Sequence, residues 1–250
     1  MTRRRWIADE IIGDTAALVG EHAAHLARVL RAEVGQEFDI ATGDEVRRGT
    51  ITTISYDRVE FNLGRKLSAR LRPASSSAPK ITLVLAIFKF DRMEWAIEKC
   101  TEIGVARIIP VIGRRSDAHL VAAAAKRHER WLRIVRQASE QSRRAAPPEI
   151  TVPIKLKELA DEGSLPEESR VVLAESLAAS EESPRLGEVL QSRSVGVEVA
   201  LAIGPEGGWV DGEIAWLRDS GWVAASLGNT ILRAETAAIV AAALAMDALR

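Results

Sequence analysis

The chain reads as an α/β protein with a parallel sheet, preceded by a smaller β-rich domain. Three observations predict this. Short alternating runs fill residues 38–67, a patternless stretch covers 72–80, and beyond it continuous apolar runs alternate with helical spacing.

The elements follow in order. GEHAAHLARVLRAEVG (20–35) places Ala24, Leu26, Ala27, Leu30 and Val34 at near-helical spacing, with Gly35 as the stop. From Phe38 to Leu67, runs such as GTITTIS and RVEFNLG are separated by the turn signals TGD and YD, the pattern of a small, mostly antiparallel sheet or barrel. RPASSSAPK (72–80) has no hydrophobic pattern and reads as a linker. The expected division is a domain over 1–72, a linker over 73–79 and a second domain over 80–250.

After the linker, ITLVLAIF (81–88) has the length and apolarity of a buried strand. A helix follows, with Asp91 and Glu94 at capping-box spacing, Met93, Ile97, Cys100 and Ile103 on one face, and Gly104 as its end. ARIIPVI is a second strand, and a long helix is expected over about 120–145. RVVLAES, VEVALAI and WVAASLG are further strands, and an Ala-rich helix over about 234–249 is the last element.

Composition narrows the possibilities. The chain has 250 residues, 47% of them apolar, which is ample for a core. No stretch reaches the roughly 18–20 uninterrupted apolar residues of a membrane span, and no apolar signal core follows the basic start MTRRRWIADE. A cytoplasmic location is expected, and the single cysteine, Cys100, fits a reducing compartment. Cys100 lies on an apolar helix face and reads as a small hydrophobe rather than a nucleophile. His22, His25, His119 and His128 show no metal spacing, so no metal is expected. Net charge is −1, yet residues 89–144 hold 13 Lys and Arg against 7 Asp and Glu, a basic segment able to meet nucleic acid.

The stretch AIGPEGGW (202–209) raises the question of a ligand. A phosphate-binding P-loop requires a lysine after its last glycine, and none follows Gly208. A dinucleotide loop requires G-x-G-x-x-G, whereas this one reads G-P-E-G-G-W and carries a carboxylate, Glu206, that repels polyphosphate. Gly204 ends a strand, Pro205 fixes φ, Gly207 and Gly208 permit close backbone approach, and Asp211 is the expected cap of the next helix. A turn with no ligand would need no more than this. SLGNTILRAETA (226–237), however, is a second such turn at a strand end, with Gly228 and Asn229 before an Arg-x-Glu pair. Two of them at strand C-termini in one sheet predict a binding crevice.

At these residues the sequence resembles a known family. LAIGPEGGW and LGNTILRAETA, preceded by DRMEWAIEKCTEIGVARIIPVIGRRS and RWLRIVRQASEQSRR, are similar to the RsmE family of 16S ribosomal RNA uridine N3-methyltransferases, which belongs to the SPOUT class. The similarity extends to HAAHLARVLRAEVGQEF, which looks like the start of the family's PUA-like RNA-binding domain. The resemblance implies a SPOUT-type parallel sheet with a C-terminal trefoil knot, a small N-terminal PUA-like β-barrel, a homodimer, and S-adenosyl-L-methionine (SAM) as cofactor. It also implies 16S ribosomal RNA or the small ribosomal subunit as partner. The sequence departs from the family at Phe90 and Arg143, where glycine is common in relatives.

Carried onto this chain, the resemblance assigns cofactor contacts to Gly204, Pro205, Glu206, Gly207 and Gly208, to Ser226, Leu227, Gly228, Ile231 and Leu232, and to Leu173, Ala174 and Glu175 at a third strand end. Methylating N3 of uracil requires an unpaired base and removal of the N3 proton. Arg233 is the expected partner of the uracil anion, with Glu235 or Glu206 as the carboxylate that takes the proton or holds Arg233; helix capping and a local ion pair would explain the same two residues. Arg3, Arg4, Arg5, His25, Arg28, Arg31, Lys89, Arg92, Arg143 and Arg144 are the candidate RNA contacts. Two other functions fit a glycine turn on such a sheet. A knotted RNA-binding module without catalysis would have little use for both intact loops, and a nucleotide hydrolase lacks its lysine.

Overall fold

Strands that are apolar on both sides must be covered on both sides, and the C-terminal two-thirds of the chain is organised around that requirement. The computed structural model describes residues 5–43, 45–67, 80–160, 165–166, 169–174, 184–191 and 198–249. The chain divides into two compact units, Met1–Pro73 with Arg136–Pro147, and Ala74–Val135 with Pro148–Arg250.

In the first unit, strands β1 (Trp6–Ile7), β2 (Glu10–Ile12), β3 (Thr15–Val19), β4 (Glu37–Ala41), β5 (Val46–Ile54) and β6 (Arg58–Lys66) form one sheet in the order β1-β4-β5-β6-β3-β2. All its pairings are antiparallel except β1 with β4. Gly49 is required here, because a Cβ would stand 2.5 Å from Ile40 Cγ1. The helix expected over 20–35 is shorter than its apolar spacing implies. It comprises α1 (Glu21–Ala24) and a π turn (His25–Val29), and Leu30 and Val34 are exposed. Residues 136–147 join this unit through a polar network. Asp9 accepts hydrogen bonds from the Val19 N–H at 2.9 Å and from Arg136, whose Nη2 donates to the Ile7 carbonyl. These bonds and one from His22 hold the Asp9 carboxyl below its ordinary range, although burial alone pushes it up.

The second unit contains β7 (Lys80–Ala86), β8 (Arg107–Ile112), β9 (Glu149–Ile150), β10 (Ile154–Lys155), β11 (Arg170–Leu173), β12 (Glu198–Ile203) and β13 (Val223–Ala225). Six of them run in the order β10-β8-β7-β12-β11-β13, β9 also pairs with β8, and every pairing is parallel, as the apolar runs predicted. Alternate residues enter different cores. Leu83, Leu85, Leu201 and Ile203 pack with Met93, Ile97 and Cys100 of α2 (Phe90–Ile103) and with Trp131 of α3 (Ala118–Gln141). Val84, Ala86, Ala200 and Ala202 pack on the other side with Trp209, Trp222 and Leu217. The remaining α-helices among the described residues are α4 (Leu186–Gln191), α5 (Asp211–Asp219) and α6 (Ala234–Ala248), and a 3-10 helix covers Leu156–Ala160.

Gly104 ends α2 as expected, at φ 117° with its N–H bonded to Cys100 O. The Asp91/Glu94 capping box does not form. Glu94 instead accepts from Arg130 at 2.8 Å and Arg127 at 3.4 Å, two cations of α3 that a neutral backbone N–H cannot match. Phe90 meets Trp131 edge-on at 6.2 Å, with the Arg127 guanidinium over its ring at 4.7 Å. Arg143 adopts φ 62°, the left-handed region that glycine enters freely. No helix among the described residues is long and apolar enough to cross a membrane, and no group of three or more His, Cys, Asp or Glu among them could hold a metal.

Candidate active site

Parallel register brings three strand ends together: Leu173 of β11 pairs with Ile203 of β12 on one side and Ala225 of β13 on the other. The segments that leave these ends enclose a cavity of about 390 Å³, within the range of small-molecule sites. Its lining includes Leu173 and Ala174, all of Gly204–Gly208, Ser226, Leu227, Gly228, Ile231, Leu232 and Arg233. Residues from the two glycine turns, 24 positions apart at Gly204 and Gly228, thus share one cavity. Glu175, the remaining expected cofactor contact, and Arg3 and Arg4 lie outside the described residues.

The first turn is closed by a hydrogen bond from Gly208 N–H to Pro205 O at 2.8 Å, with Gly208 at φ 69°. Gly204 lies against Trp209, where an added Cβ would be 3.3 Å from both the backbone nitrogen and the ring nitrogen. The expected cap, Asp211, is the first helical residue of α5 rather than its cap. Val210 occupies the cap position, and Glu213, three residues on, accepts its N–H at 3.0 Å. The other oxygen of buried Glu213 accepts the Arg114 N–H at 2.7 Å. One carboxylate therefore joins the turn after β12 to the turn after β8. Arg115 extends across the same junction, its Nη1 donating to Gly207 O. In the second turn Gly228 has φ 127°, and Ser226 bonds through its backbone to Pro184 and Leu186.

The charged residues have separate placements. Arg233 lines the cavity, is exposed, and forms no ion pair with any described residue. Neither expected carboxylate holds it. Glu206 also lines the cavity and accepts the Lys89 N–H at 3.3 Å. Glu235 is outside the lining and 5% exposed; its Oε1 lies 3.8 Å from Arg92 Nε, and its Oε2 is buried without a hydrogen-bond partner among the described residues. Residues two apart at a helix start point in different directions, which separates Glu235 from Arg233.

Of the expected RNA contacts, Arg92 lines the cavity and Lys89 is exposed beside the first turn. Arg28 and Arg31 are exposed, and Arg28 lies 4.1 Å over the ring of exposed Tyr56. His25 is half-buried, 5.9 Å from the Trp6 ring. Arg5 does not offer a surface charge: it is buried, donates to the Arg143 carbonyl, and burial lowers its pKa. Arg144 is partly buried and its pKa is pushed down to about 10 by desolvation. Cys100 is fully buried with its thiol pushed up to about 12, as inert as its position in the helix predicted. Sequence reasoning missed Arg115, Trp209 and Thr230 in the lining. Arg115 carried a usable signal, an arginine pair directly after a parallel strand.

Residues 75–246 match the model of the RNA methyltransferase domain family. The chain is 31% identical over 236 residues to the ribosomal RNA small subunit methyltransferase E of Synechocystis sp., covering 94% of this chain and 74% of the relative. It is 28% identical over 241 residues to the Bacillus subtilis protein of the same name, covering 91% and 88%. Among solved structures, ribosomal RNA small subunit methyltransferase E from Neisseria gonorrhoeae bound to S-adenosyl methionine superposes with a TM-score of 0.81 at 29% identity, covering 96% of this chain and 95% of that one. A Legionella pneumophila structure with SAM bound gives 0.82 at 30% identity, covering 99% and 98%.

Proposed function

The chain belongs to the RNA methyltransferase family, and from that premise we propose that it methylates N3 of a uridine in 16S ribosomal RNA. It is a SAM-dependent methyltransferase of small-subunit ribosomal RNA. The observation that carries the reading is the single cavity shared by both glycine turns at the ends of three parallel strands.

The cavity fits the cofactor on its own chemistry. Leu173, Ile203, Leu227 and Leu232 supply apolar wall, while turns at Gly208 and Gly228 present backbone groups without a side chain in the way. Gly204–Gly208, Ser226–Gly228, Ile231 and Leu232 would hold SAM, with Leu173 and Ala174 as the third wall. When bound, the cofactor supplies an electrophilic methyl group on a sulfonium. The protein's part is orientation and charge. Arg233, a cation without a protein partner among the described residues, stabilises the negative charge that uracil gains as N3 loses its proton. Glu206 is the one acid among the described lining residues and is the proton acceptor in this reading.

The same reading extends to architecture. β11 lies between β12 and β13, both later in the chain, an arrangement that supports a C-terminal trefoil knot. The N-terminal six-stranded sheet supports a PUA-like RNA-binding barrel. Trp95 and Leu244 stand exposed on α2 and α6, apolar surface that supports a homodimer. The setting is the cytoplasm, where ribosomal RNA is found. Mass spectrometry of 16S ribosomal RNA from a strain lacking the activity, with and without this chain, tests the reading. Return of N3-methyluridine is expected, and its failure to return overturns it.

A further inference from the structure

Among the described residues three guanidinium groups line the cavity, and the reaction proposed above employs one. Arg92 is in the first turn of α2, Arg115 in the connection after β8, and Arg233 directly before α6. Against these three cations stand Glu206 in the described lining and Glu235 behind it, 3.8 Å from Arg92, so the described groups leave a surplus of one positive charge. SAM does not offset the surplus, because it carries a sulfonium and an ammonium against a single carboxylate. An anion of the substrate would balance this surplus. For an enzyme that admits an RNA strand, the phosphodiester backbone provides it.

Arg92 and Arg115 are both held from the protein side. Glu235 Oε1 lies 3.8 Å from Arg92 Nε, and Arg115 Nη1 donates to Gly207 O. Each contact engages one part of a five-donor fork and leaves other N–H groups for a ligand. Glu235 is also buried, with Oε2 unpartnered among the described residues, so its charge acts on Arg92 without competing donors. Arg233 has no such support, which suits a cation that follows a developing charge.

We propose that Arg92 and Arg115 form a phosphate clamp for the RNA strand in the wall of the cofactor cavity, with Glu235 as the positioning residue of Arg92. The clamp rests on the methyltransferase reading. It makes Glu235 a support for substrate binding and not the proton acceptor.

The test uses the full chain, an unmodified 16S ribosomal RNA transcript and S-adenosylhomocysteine, with affinity for each measured separately. Arg92→Ala and Arg115→Ala should each weaken RNA binding roughly tenfold and flatten the dependence of log Kd on log salt by about 0.7. S-adenosylhomocysteine affinity should stay within about twofold in Arg92→Ala, since no phosphate contact serves it, and should fall less than RNA affinity in Arg115→Ala, which also releases Gly207 O. Arg92→Lys should lose affinity but keep the salt slope, because the charge remains while the fork is lost. Glu235→Gln should weaken RNA binding with the slope unchanged. If the alanine variants lose S-adenosylhomocysteine and keep RNA affinity and slope, the arginines serve the cofactor and the clamp is wrong. If Glu235→Gln shifts the pH profile of kcat and leaves RNA affinity intact, the positioning role is wrong. Wild-type protein that binds no S-adenosylhomocysteine would instead overturn the methyltransferase reading itself.

Discussion

Replacing Glu213 with alanine tests whether the cavity is held open by one buried carboxylate. Its two oxygens accept the Val210 N–H at 3.0 Å and the Arg114 N–H at 2.7 Å, and the side chain is 8% exposed. Each charge-assisted bond contributes about 1.5–3 kcal/mol, and the stranded N–H groups cost a similar amount if water does not reach them. Water reaches exposed Arg114 and part of half-buried Val210, so the expected loss is about 3 kcal/mol, at the low end of the two bonds together. For a chain of this size that lowers Tm by roughly 6–12 °C. Glu213→Gln should fall between, because an amide offers one acceptor and one donor where two acceptors are needed. S-adenosylhomocysteine binding should weaken in the same order, since the two turns move apart. Calorimetric unfolding with titration of the ligand measures both. A Glu213→Ala protein within about 0.5 kcal/mol of wild type, with unchanged affinity, would refute the reasoning.

Arg233→Ala should lower turnover far more than cofactor affinity; equal loss of both removes its role toward the uracil anion. Gly207→Val places a side chain where Arg115 Cδ is already 3.2 Å from an added Cβ, so S-adenosylhomocysteine affinity should fall at least about tenfold, and unchanged affinity would show that the turn serves no ligand. Asp9, with its lowered pKa, stabilises the first unit fully above the ordinary aspartate value of about 3.9 and loses that contribution as pH falls through its lower native value. Urea unfolding at pH 7 and pH 3 should therefore show a smaller acid-induced loss in Asp9→Asn than in wild type, and equal losses would remove Asp9 from the acid response.

The second unit was legible because its sheet is apolar on both faces. A run such as VEVALAI can satisfy that environment and little else, so strand, turn and following helix could be read together. Both glycine turns were found for the same reason, at the ends of such runs. What stayed hidden depends on partners remote in sequence. Glu213 looks like an ordinary first-turn acid until Arg114, 99 residues earlier, is placed beside it. Glu94 fits a capping box by spacing, yet α3 supplies two arginines that the local sequence does not announce. In the first unit, Leu30 and Val34 continue a helical period that the chain leaves at the π turn, so periodicity overstated the helix. Arg5 counted as a surface cation from composition, and its burial against Arg143 follows from residues 136–147 joining the N-terminal unit.

The position of β11 between β12 and β13 also sets an order of events during synthesis. A growing chain makes Arg170–Leu173 before either neighbour exists, so the strand leaves the ribosome with both hydrogen-bonding edges unsatisfied. At roughly 5–20 residues per second, several seconds pass before Gly228 and Arg233 follow. Throughout that interval the nascent protein has most of its hydrophobic core but no place for its cofactor. The ligand can therefore stabilise the finished enzyme, but it cannot guide the early steps that build it.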